Sequence, residues 1–292
     1  MFNYKTKKLP KNTIEIIVTV PKTEIAAEYE SALERIQKEL IVEGFRKGKV
    51  PKDVARRHVK QEVIYQELIK TLLPKIYEKV VEKESFKPFF SPKIELLRAK
   101  EGEDWQIKFT IAERPTVELG DYKGKVKEVK AKYKKADIWV PGKGEKTPEQ
   151  KQKEEAESQQ KQLNEILAVL LKETKIEISD IVIDEEINRR LSQLLDDIQK
   201  IGLTVDAYLK SKGMTMEDLK AKYKQEIEDT YKLEFLLNGI ADQEGISVDK
   251  AELDKLFANI TDVRERKMAE ENAYFYASIL RKQKTLDYLL AL

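Results

Sequence analysis

The chain contains no cysteine, which excludes disulfides, thiol catalysis and zinc–thiolate sites. Its one histidine, His58, stands in Val54-Ala55-Arg56-Arg57-His58-Val59. The two arginines disfavour its protonation, and no carboxylate within sequence reach would orient it as a base, so surface packing is its expected role. No apolar run approaches the length of a membrane span or a signal peptide, and a cytoplasmic protein with no membrane contact is expected. The glycines of Pro141-Gly142-Lys143-Gly144 lack the strand and helix that frame a phosphate loop. The acids Asp184-Glu185-Glu186 and Asp196-Asp197 come without histidine and read as helix-start and helix-surface charge. No catalytic constellation, cofactor or metal is expected.

What the chain does have is charge: 37% of its 292 residues are charged and 41% are apolar, the balance of a soluble, helix-rich protein of two domains. The charge is uneven. Residues 1–120 carry 24 Lys and Arg against 19 Asp and Glu, residues 121–160 carry 11 against 8, and residues 161–292 carry 20 against 26. A basic first part suits a polyanionic partner, and an acidic last part is repelled by one.

The most informative stretch is Gly44-Phe45-Arg46-Lys47-Gly48-Lys49-Val50-Pro51. Ile25, Tyr29, Ala32, Leu33, Ile36 and Leu40 recur at helical spacing behind a Thr23 cap and predict a helix over 23–42, which Gly44 ends. Glycines at 44 and 48 permit positive φ, and Pro51 suits the first turn of a following helix. Phe45 therefore sits at a loop apex with three cations. Two readings follow from the residues: the ring folds back and the cations are solvated, or the tip touches a partner. Letter for letter, GFRKGKVP resembles the signature of the trigger factor family, chaperones that dock at the ribosomal tunnel exit. The resemblance implies that Gly44, Phe45, Arg46, Lys47, Gly48 and Lys49 contact the large ribosomal subunit, its protein and its RNA.

The residues around the loop predict an α+β first domain. Ile14, Ile16, Val18 and Val20 alternate with Glu15, Ile17 and Thr19 as one strand, Lys93–Arg98 gives a second, and Trp105, Ile107, Phe109 and Ile111 give a third across a Glu101–Asp104 turn. Ile64, Leu68, Leu72, Ile76 and Val80 mark a long helix that Pro74 kinks or restarts. The expectation is a three-stranded sheet with helices. Residues 114–124 are similar to the family's exit from its ribosome-binding domain, and the boundary is set at 120. The lysine-rich 123–135 segment, with loop 141–144, reads as an exposed tether over 121–146. It is too short for the isomerase domain the family usually inserts there, so the chain looks like a short form without that enzyme.

Residues 147–292 predict an all-α domain. Thr147 caps a first helix, an extended piece covers 175–183, Ile187 to Ile201 mark a helix ended by Gly202, and Thr204 opens one ended by Gly213. Thr215 with Asp218 makes a capping box for a long helix that stops at Gly245, and Ser247 caps another. Ile198–Gly202 with Tyr208-Leu209, Leu237–Val248 and Leu280–Leu290 resemble the family's chaperone domain. Tyr274, Phe275 and Tyr276 are consecutive, so a helix cannot bury all three on one face. They mark a helix junction or a client surface. The implied function is an ATP-independent chaperone with nascent or unfolded polypeptides as partners, and the resemblance admits a homodimer. A ribosome-independent holdase or assembly factor, a residual prolyl isomerase and a general RNA binder are the rivals.

Overall fold

A computed structural model describes residues 2–136 and 148–292. They divide into two compact units, one made of Met1–Arg114 with Ser179–Glu185, the other of Pro115–Ile178 with Glu186–Leu292.

In the first unit, strands β1 (Asn3–Leu9), β2 (Thr13–Val20), β3 (Lys93–Arg98) and β4 (Trp105–Ala112) form one antiparallel sheet in the order β1-β2-β4-β3. Alternation aligns the core: Ile16 pairs with Phe109 and Val18 with Ile107, all buried. Helices α1 (Lys22–Glu39), α2 (Lys52–His58) and α3 (Gln61–Glu84) complete the unit, and Ala32, Leu33, Ile64, Leu68 and Ile76 join the same cluster. The sheet has one strand more than the sequence pattern predicts. β1 is an edge strand whose Asn-Tyr-Lys-Thr-Lys-Lys-Leu buries no residue, so it carries no apolar alternation to read. Its hairpin closes through Lys11 and Asn12 at φ 57° and 52°, without the glycine that usually announces such a turn. The segment Ser179–Glu185 is fixed to this hairpin by a 2.8 Å hydrogen bond between the Thr13 and Ser179 hydroxyls and a 2.6 Å Lys11–Asp180 pair.

α3 runs unbroken through Pro74, with no restart. Proline frees the carbonyl of Lys70, but both residues are exposed, so water can satisfy it while Leu72, Leu73 and Ile76 hold the helix from within. A polar staple joins α1 to α3: the Arg35 guanidinium donates to Glu67 at 3.1 Å and to Thr71 at 2.7 Å, and Lys75 reaches Glu28 at 3.0 Å. α1 starts at Pro21 instead of Thr23, and the carboxylate of Asp104 accepts the Lys22 N–H at 2.9 Å.

The second unit contains α4 (Tyr122–Ala136), α5 (Pro148–Glu173), most of α6 (Asp180–Lys200), α7 (Val205–Lys212), α8 (Met216–Gln243), α9 (Lys250–Ala258), α10 (Val263–Glu271) and α11 (Ala273–Ala291). The lysine-rich segment expected as an exposed tether is helical. Alternating lysines imitate a period of two, whereas Tyr122, Val126 and Val129 fall on one helical face and are buried. The extended piece ends at Ser179, because Val182 and Ile183 are buried as the first turn of α6. Thr204 and the Thr215–Asp218 box cap α7 and α8 as the sequence suggests, but α9 is capped by Asp249 with Glu252 and not by Ser247. Thr147 and the 141–144 loop lie outside the described residues. α11 packs on α8 and α5, with Leu236, Ile240, Ile166 and Leu289 fully buried. Residues 115–119 lie on α8 where it carries Gly239; a Cβ there would stand 3.3 Å from Val117.

Candidate functional site: a pinned basic loop and an apolar helix tip

The loop between α1 and α2 is shaped by what holds its ends. α1 stops at Glu39, three residues before the apolar pattern does, and the chain turns extended at Leu40. Leu40 and Val42 pack on the core, while Ile41 between them is 76% exposed. Two turns follow. Phe45 N–H donates to the Val42 carbonyl at 3.0 Å with Gly44 at φ 86°, and Lys49 N–H donates to the Arg46 carbonyl at 2.9 Å with Gly48 at φ 74°. Each glycine is the third residue of its turn, the position where a type II turn requires positive φ. Gly48 has a second reason to lack a side chain, since a Cβ would lie 2.9 Å from the Lys38 carbonyl oxygen. At the far end Val50 is buried, the Gln37 amide donates to its carbonyl, and Pro51 opens α2.

Between these anchors Phe45 is 41% exposed and stays out of the core cluster. The cations differ among themselves. Lys47 Nζ lies 2.5 Å from Glu39 Oε2, and this hydrogen-bonded pair holds the Glu39 carboxyl below its ordinary range. Arg46 and Lys49 are exposed and have no ion-pair partner among the described residues. Along α2, Lys52 is paired with Glu34 at 2.9 Å and Glu30 at 3.1 Å, and Arg56 with Glu30; Arg57 is exposed without an ion pair among the described residues. His58 is a surface residue whose Nδ1–H donates to the Val54 carbonyl at 2.9 Å.

The lysine run of α4 is not a bare cationic stripe. Lys123 pairs with Glu244 at 2.8 Å, Lys125 with Glu128 at 3.5 Å and Lys132 with Glu165 at 3.6 Å, and Lys130 donates to the Leu290 carbonyl. Glu244 is the centre of this unit's polar chemistry. It accepts from Tyr122 and Tyr288, each at 2.7 Å. Lys123 first, then Tyr288 and Tyr122, hold its carboxyl down at about 2. Burial and the bond to Glu244 push the Tyr122 phenol well up.

At the other end of this unit the three aromatic residues separate as helical geometry demands. Tyr276 packs edge-on against the buried Phe257, ring centres 5.5 Å apart at 90°, while Tyr274 is 85% and Phe275 60% exposed. Val263, Met268 and Ile279 are also exposed on α10 and α11. The sequence pattern missed these, because isolated aliphatic residues in charged helices carry no period, and it missed Ile41 by extending α1 across it. Among the described residues no group of three or more His, Asp or Glu could hold a metal.

Residues 2–139 match the family model described as "Bacterial trigger factor protein (TF)", and residues 145–290 match "Bacterial trigger factor protein (TF) C-terminus". Trigger factor of Natranaerobius thermophilus is 31% identical over 133 residues, covering 45% of this chain and 30% of that protein. Trigger factor of Staphylococcus carnosus is 35% identical over 107 residues, covering 37% and 24%. The matches thus span less than a third of either relative's length. A solved structure described as "Promiscuous Substrate Recognition in Folding and Assembly Activities of the Trigger Factor Chaperone" superposes with a TM-score of 0.64 over 99% of both chains at 16% identity, a likeness of fold alone.

Proposed function

The chain belongs to the trigger factor family, and from that premise we propose that it is an ATP-independent chaperone that docks on the large ribosomal subunit near the nascent-chain exit and holds emerging or unfolded polypeptides. One observation carries the docking reading: Phe45 and Arg46 stand in water on a loop whose two glycine turns and buried Val50 fix its shape. An aromatic anchor beside unpaired positive charge is the chemistry of a small, specific contact. The exposed Tyr274 and Phe275 support a client surface on the helical unit. Such a protein works in the cytoplasm, and among the described residues no helix is long and apolar enough to cross a membrane. The two family models are separated only by residues 140–144, which supports a chain without prolyl isomerase activity. Catalysed exchange of an X-Pro bond by the pure chain would overturn that part.

The docking test is cosedimentation with ribosomes. Replacing Phe45, Arg46 and Lys47 together by alanine is expected to abolish it with the circular dichroism unchanged, because exposed loop residues contribute little to the core. Wild-type binding should fall with salt at a log–log slope of about −2, as roughly two released counterions give. A triple variant that still pellets at moderate salt sinks the reading.

A further inference from the structure

We propose that the outer edge of β3 captures an extended segment of unfolded polypeptide by strand addition, a client site on the first unit separate from the helical tip. This rests on the chaperone reading above. β3 is the last strand of its sheet, so every second backbone N–H and C=O along it points away from β4, open to an added strand. Ile94 pairs with Phe109 and Leu96 with Ile107, and both partners are buried, so the two side chains lie on the face that carries the core. α3 covers β4 there, with the Tyr77 and Phe109 ring centres 5.8 Å apart. It does not cover β3, where Ile94, Leu96 and Leu97 remain 41%, 42% and 51% exposed.

Charge and register identify the occupant. The opposite margin, β1, presents Lys5, Lys7 and Lys8 and buries no residue, so an apolar strand is turned away there and admitted at β3. A second copy of the chain fits poorly. Paired antiparallel over its full length, Lys93–Arg98 would set Lys93 against Arg98 at both ends. A segment with apolar residues at alternate positions and acidic flanks avoids that repulsion, and on the other face Glu95 is already paired with Lys108. Backbone bonds would hold such a segment whatever its sequence, while Ile94 and Leu96 select the side chains laid beside them. The register shift between Leu96 and Arg98 ends the regular ladder after Lys93–Leu96, so the added strand is short and its release quick.

The test uses the full chain and a fluorescent peptide of alternating valine and threonine with aspartate at each end, beside the same peptide N-methylated at every second residue. The plain peptide should bind and slow amide exchange in β3 while leaving β1 unchanged. The methylated peptide cannot complete the ladder and should bind about tenfold more weakly. Leu96→Lys should weaken binding of the plain peptide about tenfold with the thermal melt little changed, and Leu96→Val should stay within about twofold of wild type. Equal binding of the two peptides by wild type overturns the inference, whatever Leu96→Lys does to the fold. So does slowed exchange confined to α10 and α11, which moves capture to the helical tip. A dimer that Leu96→Lys dissociates without loss of peptide also overturns it, because β3 is then an interface between copies. If the peptide is not bound while wild type still suppresses aggregation in light scattering, β3 falls and the chaperone reading stands. If neither occurs, the chaperone reading fails and β3 falls with it.

Discussion

The 44–51 loop and the α10–α11 tip both keep aromatic rings in water, but they are built on opposite principles. The loop is over-determined: two positive-φ glycines, a backbone oxygen facing Gly48, a buried Val50 and a side-chain clamp from Gln37 leave it one shape. The tip is under-determined. Its exposed residues sit on ordinary helix faces; Tyr276 is held against the buried Phe257, and Phe275 meets the edge of Tyr276 at 5.6 Å between ring centres. A surface that meets one partner gains from a fixed outline, since the ordering cost is met during folding. A surface that meets many chains needs apolar area and little geometry.

The largest test of this contrast is Gly48→Ala. Left-handed backbone strain together with a Cβ 2.9 Å from a carbonyl oxygen should cost about 2–3 kcal/mol in urea unfolding and take ribosome binding with it. Gly44→Ala meets no atom within 4 Å and should cost about 1 kcal/mol, from its φ alone. Equal costs at the two positions would show that Lys38 does not shape the loop. Within the tip, Tyr276→Ala should cost about 1–2 kcal/mol through its lost contact with Phe257. Tyr274→Ala with Phe275→Ser should stay within about 0.5 kcal/mol and instead weaken suppression of aggregation, read by light scattering. A stability loss for the exposed pair as large as for Tyr276 would mean the tip is packed as tightly as the loop.

The smallest effect at neutral pH is electrostatic. Glu244 titrates in the folded chain at about 2, below its ordinary 4.5. A depressed carboxyl gives stability that is complete above its unfolded value and lost as pH falls through its folded value, here between about 4.5 and 2. Glu244→Gln should therefore flatten the acid limb of the helical unit's stability profile. An unchanged profile would remove Glu244 from the account.

The legible parts of the chain were those where one local rule decides. β2 and β4 show their alternation, the Thr215–Asp218 box lies within four residues, and GFRKGKVP states its turns through its glycines. The illegible parts were decided by position in the sheet or bundle. β1 is a strand only because β2 offers it an edge. α4 hid its Tyr122, Val126 and Val129 face behind alternating lysines. The end of α1 was obscured because Leu40, Ile41 and Val42 are equally apolar, and only the fold determines which two turn inward. Lys47 looked like a free cation because Glu39, eight residues away, becomes its partner only after the two turns form.

The polar β1 has a consequence beyond the sheet it completes. Unfinished polypeptides present unpaired strands, and any open sheet border nearby can template their addition, so a protein that handles them risks becoming the seed of the aggregate. Lys5, Lys7 and Lys8 place charge on both faces of this outermost strand, and a joining strand would have to lay its own side chains along that row. At the opposite border β3 is interrupted between Leu96 and Arg98, which spoils the straight ladder a newcomer needs. Charge thus guards the β1 margin, whereas the β3 margin keeps Ile94, Leu96 and Leu97 exposed and relies on its irregular register alone.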